Sequence, residues 1–167
     1  MPVAVRPFCP EEAGLLAAIR LDALADSPDA FAERLDMALA KGGEDFSQAL
    51  AEGAVWGVFQ ENACVGMAGF DRHVGANVAH KATIWGVYLQ PRTRGSGAAE
   101  ALFRALIGHA RRIGVEALHL GVGDFNQPAR RFYERMGFAP YGFERRALKI
   151  GDRYVDEIQM VLFLGPD

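Results

Sequence analysis

The chain has 167 residues, which is enough to bury a hydrophobic core, and we expect a single domain over residues 1–167. Half of the residues are hydrophobic and the net charge is −3, so composition excludes a general attraction to nucleic acid or to an anionic membrane. No apolar run reaches the length of a membrane span, residues 1–12 lack a signal-peptide pattern, and the two cysteines form no disulfide framework. These features predict a cytoplasmic protein.

Up to Pro91 the sequence predicts helices first and strands afterwards. Apolar residues, Ile19 among them, recur at helical spacing after Pro10, which is a favourable first residue of a helix. The later segments are apolar runs of strand length bounded by turn residues. In chain order we expect a strand at 3–8, helices from Pro10, over 29–39 and near 46–51, and strands at 54–60, 63–70 and 81–89.

After Pro91 the predicted elements alternate between helix and strand. A stripe that includes Leu102, Leu106 and His109 predicts one helix, and Asn126 is a favourable N-cap for the next. We expect a helix over 97–113, a strand around 118–122, a helix from Asn126 to Gly137, and strands at 138–148 and 154–164. This order predicts a mixed α/β fold in which helices cover both faces of a largely antiparallel sheet.

The most informative segment is 84–106, where a strand enters a glycine turn that leads directly into a helix. Gly95 and Gly97 allow the backbone to approach a ligand closely, and the helix N-terminus attracts anions. Arg92 and Arg94 add positive charge, and arginine binds phosphate through two parallel hydrogen bonds. The segment predicts a binding loop for a phosphorylated ligand; its alternative interpretation is a simple tight turn.

Two common phosphate-binding motifs do not fit this loop. A P-loop requires Lys and then Ser or Thr after its last glycine, whereas Ala98 and Ala99 follow Gly97. A dinucleotide fingerprint would place a third glycine at position 100, which is Glu100. A nucleotide-dependent oxidoreductase is therefore a disfavoured alternative.

Two motifs resemble those of the GCN5-related N-acetyltransferases, which bind acetyl-coenzyme A. The segment Arg94-Gly95-Ser96-Gly97-Ala98-Ala99 resembles the Q/R-x-x-G-x-G/A signature of that family. The segment from Asn126 to Phe138 is similar to the family helix N-x-x-A-x-x-[FL]-Y-x-x-x-G-F. The resemblance covers about residues 80 to 162, with both motifs in the family's order and spacing.

The resemblance implies a set of cofactor-binding residues for acetyl-coenzyme A. The loop would bind the pyrophosphate, and the strand before it would present backbone groups to the pantetheine arm. The implied residues are Val87, Tyr88, Leu89, Arg94, Gly95, Ser96, Gly97, Ala98, Ala99, Asn126 and Tyr133. Tyr133 is also the implied catalytic acid, because a phenol can donate a proton to the leaving thiolate. Without the motif, Tyr133 could equally be a core aromatic and Asn126 only a helix cap.

The resemblance implies an enzyme that transfers acetyl to a primary amine by direct attack in a ternary complex, without a metal. The acceptor could be a small molecule, an amino acid or a protein amine. A non-catalytic coenzyme A-binding module is the alternative, and the resemblance is also compatible with a homodimer.

The sequence does not assign the general base. Many relatives carry a Glu on the strand before the loop, but residues 81–89 contain no acid. The candidates are Asp124, His80, His119, Asp156 and Glu157, and a water chain could serve instead.

Overall fold

A computed structural model describes residues 2–33, 36, 38 and 46–165 of the chain. Its seven strands follow the hydrogen-bonding order β1-β2-β3-β4-β5-β7-β6, and its neighbouring strands are mostly antiparallel. The predicted mixed α/β fold with a largely antiparallel sheet is therefore confirmed. The chain divides into two compact units, one comprising Met1–Asp71 with Ile84–His109 and the other Arg72–Thr83 with Ala110–Asp167.

Apart from the helix over 29–39, the predicted elements are present with small shifts at their ends. The strands are β1 (Ala4–Pro7), β2 (Val55–Gln60), β3 (Ala63–Arg72), β4 (Lys81–Leu89), β5 (Ala117–Gly123), β6 (Ala139–Ile150) and β7 (Arg153–Phe163). The α-helices with described bounds are α1 (Ala13–Asp26), α2 (Ser47–Ala51), α3 (Ala98–Arg112) and α4 (Gln127–Arg135). The predicted helix over 29–39 is wrong over its first part: Pro28–Ala30 form a separate 3-10 turn, Phe31 is extended and residues 31–33 are not helical. Most of the predicted helix beyond residue 33 lies outside the described residues.

In the first unit, β1 pairs with β2 and β2 pairs with β3, both antiparallel. Helix α1 buries one stripe at helical spacing, because its apolar residues recur every three or four positions. The buried residues of that stripe are Leu16, Ile19, Ala23 and Leu24. Several of them join a core cluster with Phe8, Val55, Met67 and Tyr88. Burial of each large apolar side chain contributes roughly 1.5–3 kcal/mol, so this cluster holds α1 against the strands.

In the second unit, β5 lies between β4 and β7. Parallel pairs join β4 and β5 from Lys81 with Ala117 to Thr83 with His119. Antiparallel pairs join β5 to β7 and β7 to β6 over most of their lengths. Leu118, Leu120 and Val122 of β5 are all buried, as their alternation predicts.

Among the described residues, no helix is both long and apolar enough to cross a membrane.

Candidate active site

The glycine loop leaves open space beside its backbone at two positions. Gly95 and Gly97 have φ angles of +75° and +86°, a conformation that favours glycine. A Cβ built on either residue would have no heavy atom within 4 Å. Helix α3 then begins at Ala98, and the N–H of Ala101 donates to the Gly97 carbonyl at 3.1 Å. Because the first N–H groups of a helix have no partner within it, this open turn can receive an anion.

A buried threonine fixes the base of the loop. The Thr93 hydroxyl donates to the Gln90 carbonyl at 2.9 Å, and the Ser96 hydroxyl donates to the Thr93 carbonyl at 2.7 Å. Thr93 is only 3% exposed. Sequence reasoning missed it, since a threonine between two arginines resembles an exposed turn residue. These bonds hold the loop in one shape before any ligand arrives, which lowers the cost of binding.

Arg94 is anchored at the loop, although its side chain is 52% exposed. Its Nε donates to the Leu89 carbonyl at 3.0 Å, and its Nη2 lies 2.6 Å from Asp26 Oδ2. Its guanidinium carbon is 5.9 Å from the centre of the Tyr88 ring. Arg94 therefore links the end of β4, the end of α1 and the loop, and it places a fixed positive charge there.

The three predicted pantetheine contacts lie at the end of β4. Tyr88 and Leu89 are buried, and Val87 is half-buried. A Cβ on Gly66 would lie 2.9 Å from the Tyr88 carbonyl oxygen, so β3 and β4 approach closely at this point. Burial raises the pKa of the Tyr88 phenol, and nearby Asp26 raises it further.

A glycine in the middle of β4 changes the course of the strand. Gly86 has a φ of +65°, and a Cβ there would lie 3.0 Å from Met67 Cε. A left-handed residue turns a strand locally and re-aims the side chains that follow. Sequence reasoning missed this irregularity, although an isolated glycine in a strand pattern is a signal for it.

Asn126 caps the helix that carries the second motif. Its Oδ1 accepts a hydrogen bond from the Ala129 N–H at 3.3 Å, and its own N–H donates to the Gly123 carbonyl at 2.9 Å. The predicted cap is confirmed. Its predicted contact with the cofactor stays a prediction.

Tyr133 is 7% exposed on α4, beside two other aromatic rings. The ring centres of Phe132 and Phe138 lie 5.6 Å and 6.1 Å from that of Tyr133. Removal from water raises the pKa of the Tyr133 phenol well above its usual range, because burial disfavours the phenolate. A phenol is protonated at neutral pH, as a proton donor must be, and the raised pKa makes this one a weaker acid than an exposed tyrosine.

A family model described as the acetyltransferase (GNAT) family matches residues 20–138. The match covers more than half of the chain and contains the glycine loop, Asn126 and Tyr133. The chain belongs to the GNAT family. The two motifs were therefore sufficient to identify the family from the sequence.

Curated relatives of this GNAT chain include uncharacterized N-acetyltransferases of Mycobacterium tuberculosis and Mycobacterium bovis. They are 36% identical over 75 residues, which is 45% of this chain and 47% of each relative. The match thus spans about half the length of these curated relatives.

Solved structures show the same fold at lower identity. A ribosomal-protein-alanine N-acetyltransferase from Brucella melitensis is 22% identical with a TM-score of 0.80, covering 96% of this chain and 99% of that one. A phosphinothricin acetyltransferase from Sinorhizobium meliloti, solved in complex with acetyl-CoA, is 19% identical with a TM-score of 0.78, covering 99% and 90%.

The five candidate bases of this GNAT chain have different surroundings. Asp156 Oδ1 accepts a hydrogen bond from the Arg146 N–H at 2.6 Å. Asp124 and His80 contribute backbone groups to strand-end hydrogen bonds, with Asp124 N–H donating to the Asp156 carbonyl. Burial shifts the pKa of His119 and that of Glu157.

The surroundings of His119 and Glu157 shift their pKa values in opposite directions. Burial lowers the pKa of His119, and electrostatic interaction with Lys81, His73 and His80 lowers it further. Burial raises the pKa of Glu157, and the nearby Glu144 carboxylate adds to that rise. Both shifts move the group toward its neutral form.

Within the described residues, no three His, Cys, Asp or Glu side chains are grouped to hold a metal ion.

Proposed function

We propose that this GNAT protein is an N-acetyltransferase that transfers acetyl from acetyl-CoA to a primary amine by direct attack in a ternary complex. The observation that carries this proposal is the open space beside Gly95 and Gly97 at the start of the long helix α3. That space lies at the position where the family signature places the pyrophosphate. The phosphate charge would meet the free N–H groups and the positive end of the helix.

Each predicted contact has a defined role in this proposal. The backbone of 95–99 binds the pyrophosphate, with Arg94 supplying fixed charge nearby. The backbone of Val87, Tyr88 and Leu89 binds the pantetheine arm, and Asn126 assists from the cap of α4. A held thioester and a held amine react as neighbours, which removes much of the entropic barrier.

Tyr133 provides the proton for the leaving group. The amine nitrogen forms a bond to the acetyl carbon, and the bond between that carbon and sulfur breaks. The thiolate takes the phenol proton, and Tyr133 regains a proton from the nitrogen that has become an amide. The phenol is protonated at neutral pH and has this proton to give. Because burial raises its pKa, the transfer requires the thiolate to form in direct contact with the hydroxyl.

We further propose that residues 1–167 form one acetyltransferase domain, which works in the cytoplasm on a small-molecule or peptide amine. Nucleic acid and membranes are not among its proposed partners, and no metal is needed. A homodimer remains an expectation from the family.

The first test is acetyl-CoA binding measured by calorimetry on native protein and Gly97→Trp. We expect native binding that the variant loses, because the indole would occupy the open turn. Gly151→Trp is the matched control, since Gly151 also has a positive φ of +62° and open space at its Cβ. Equal losses in both variants, or no native binding, would refute the cofactor assignment.

A second test measures coenzyme A release with an amine panel. The panel contains phosphinothricin, a peptide with N-terminal alanine, free amino acids and simple alkylamines. Turnover with any of these amines supports the proposal that the protein is an N-acetyltransferase. Binding of acetyl-CoA without turnover would favour a non-catalytic coenzyme A-binding module.

A further inference from the structure

Two adjacent carboxylates of β7 have different environments. Successive side chains of a strand point to opposite faces, so Asp156 and Glu157 face different sides of the sheet. Asp156 supports a strand irregularity: it accepts the N–H of Arg146, a residue with φ +57° in the register shift between Glu144 and Leu148. Asp156 therefore stabilises the hairpin formed by β6 and β7.

The Glu157 carboxylate instead lies against the backbone of β5. A Cβ built on Gly121 would be 2.6 Å from Glu157 Oε2, closer than real Cβ contacts occur. Glycine at position 121 therefore leaves the space that the carboxylate fills. Gly121 lies two residues beyond the last parallel pair of β4 with β5, Thr83 with His119. The Glu157 carboxylate therefore lies against the part of β5 that follows the pairing of β5 with β4.

A neighbouring amide orients this carboxylate. Gln159 Nε2 donates to Glu144 Oε2 at 3.0 Å and lies 3.4 Å from Glu157 Oε2. Glu144 on β6 pairs directly with Glu157. On the facing side of β5 lie the uncharged Gly121 and Gly123 and, two residues before Gly121, the titratable His119. Half-burial and the Glu144 charge make Glu157 a stronger proton acceptor than a solvated carboxylate.

We propose that Glu157 is the general base that removes a proton from the acceptor ammonium. This inference rests on the proposed acetyl transfer. The carboxylate oxygen forms a bond to one ammonium proton, and the N–H bond breaks to leave a neutral amine with a free electron pair. Glu157 then returns the proton to water. The carboxylate comes from β7, a strand later in the chain than the acid-free β4.

The test compares kcat/KM between pH 5 and pH 9 for native protein and Glu157→Gln, using the best amine of the panel. We expect kcat/KM to fall on the order of 10²-fold or more in the variant, the usual scale of general-base catalysis. The native profile should rise with pH as Glu157 ionises, and the variant should lose that rise. The dissociation constant for acetyl-CoA should stay within about twofold of native, since the substitution is isosteric.

Two control variants separate this role from a general effect on the hairpin. Asp152→Asn removes an exposed carboxylate at the β6–β7 turn and should leave the pH profile unchanged. Glu144→Gln removes the charge that raises the pKa of Glu157, so the rise in kcat/KM should move to lower pH.

A double variant that moves the carboxylate from β7 to β5 tests the proposal if Glu157→Gln is poorly folded. In the double variant Gly121→Glu with Glu157→Ala, the carboxylate attaches to β5 and occupies the space that Glu157 leaves. We expect it to recover part of the activity that Glu157→Ala loses.

Three results would overturn the assignment. Native-like kcat/KM and pH profile in Glu157→Gln would exclude Glu157 as the base. If kcat/KM no longer rose with pH in His119→Gln, the general base would be His119 instead. The Nδ1 of His119 lies 3.2 Å from the Tyr141 hydroxyl. Failure of native protein to acetylate any panel amine would refute the proposed function itself, and this base assignment with it.

Discussion

Arg94 and Asp26 form an ion pair with Nη2 and Oδ2 2.6 Å apart, although 68 residues separate them in the chain. The same guanidinium donates to the Leu89 carbonyl, so one planar group joins the glycine loop to α1 and β4. The flat guanidinium can make these two bonds in different directions, whereas the ammonium of lysine is a single point charge.

We therefore expect Arg94→Lys to weaken acetyl-CoA binding about tenfold, on the order of 1.4 kcal/mol, because the loop loses an anchor while its charge is kept. Calorimetry measures the change. Arg92→Lys is the matched control and should change affinity by no more than about twofold, since Arg92 is an exposed residue bonded to Gln90. Native-like affinity in Arg94→Lys would show that charge alone matters at the loop, and equal losses in both variants would show that the anchor formed by Arg94 has no special role.

Removal of the Tyr133 hydroxyl tests whether Tyr133 is the catalytic acid or only a buried core aromatic. We expect Tyr133→Phe to lower kcat by about 10²–10⁴-fold, the range found for general acids, with an unchanged dissociation constant for acetyl-CoA. Steady-state kinetics and calorimetry provide the two readouts. Tyr154→Phe, on the 48% exposed Tyr154, controls for the loss of any phenol. A native kcat in Tyr133→Phe would leave Tyr133 as a buried core aromatic.

The left-handed conformation of Gly86 in β4 predicts that a change to alanine destabilises the protein, which is the opposite of the usual effect of that change. Replacement of Gly86 by alanine forces an L-residue to φ +65° and places a Cβ 3.0 Å from Met67 Cε. We expect the free energy of unfolding to fall by about 1–2 kcal/mol, the cost of a left-handed residue with a Cβ. Urea unfolding measures it.

Gly14→Ala is the opposite case and serves as the control. Gly14 lies in α1, and a Cβ there would meet no heavy atom within 4 Å. Alanine should raise the free energy of unfolding by up to about 1 kcal/mol, because it restricts the unfolded chain and favours helix. Destabilisation by both substitutions would mean that φ is not the cause at Gly86.

The features that sequence analysis predicted correctly are determined locally. The turn into α3 depends on glycines and helical periodicity within one segment, and the Asn126 cap depends on a residue three positions away. Both motifs lie in such segments, so the family could be identified from them.

The features that sequence analysis missed depend on strand register and long-range packing. The position of Glu157 over Gly121 follows from the pairing of β7 with β5, which no local pattern specifies. The ion pair between Arg94 and Asp26 likewise depends on long-range packing that no local pattern specifies. Our proposal of Glu157 as the general base therefore depends on strand pairing that the sequence alone does not provide.

The carboxylate of Glu12 predicts how stability changes in acid. Both guanidinium ends of Arg6 donate to it at 2.8 Å, and the Cys9 N–H donates to it at 2.9 Å. These bonds, that of Arg6 first, lower the pKa of Glu12 to about 2. Because the folded pKa lies below that of the unfolded chain, the stabilisation is present above about pH 4.5 and is lost as the pH falls toward 2.

We expect Glu12→Gln to lower the free energy of unfolding at pH 7 by no more than about 1 kcal/mol, because the pair is partly exposed to solvent. The difference from native protein should shrink between pH 4.5 and pH 2, as native Glu12 gains its proton. Urea unfolding at several pH values measures this difference, with Glu11→Gln as the control on an adjacent exposed carboxylate. A difference that does not change with pH would show that shape, and not the charge of Glu12, stabilises this turn.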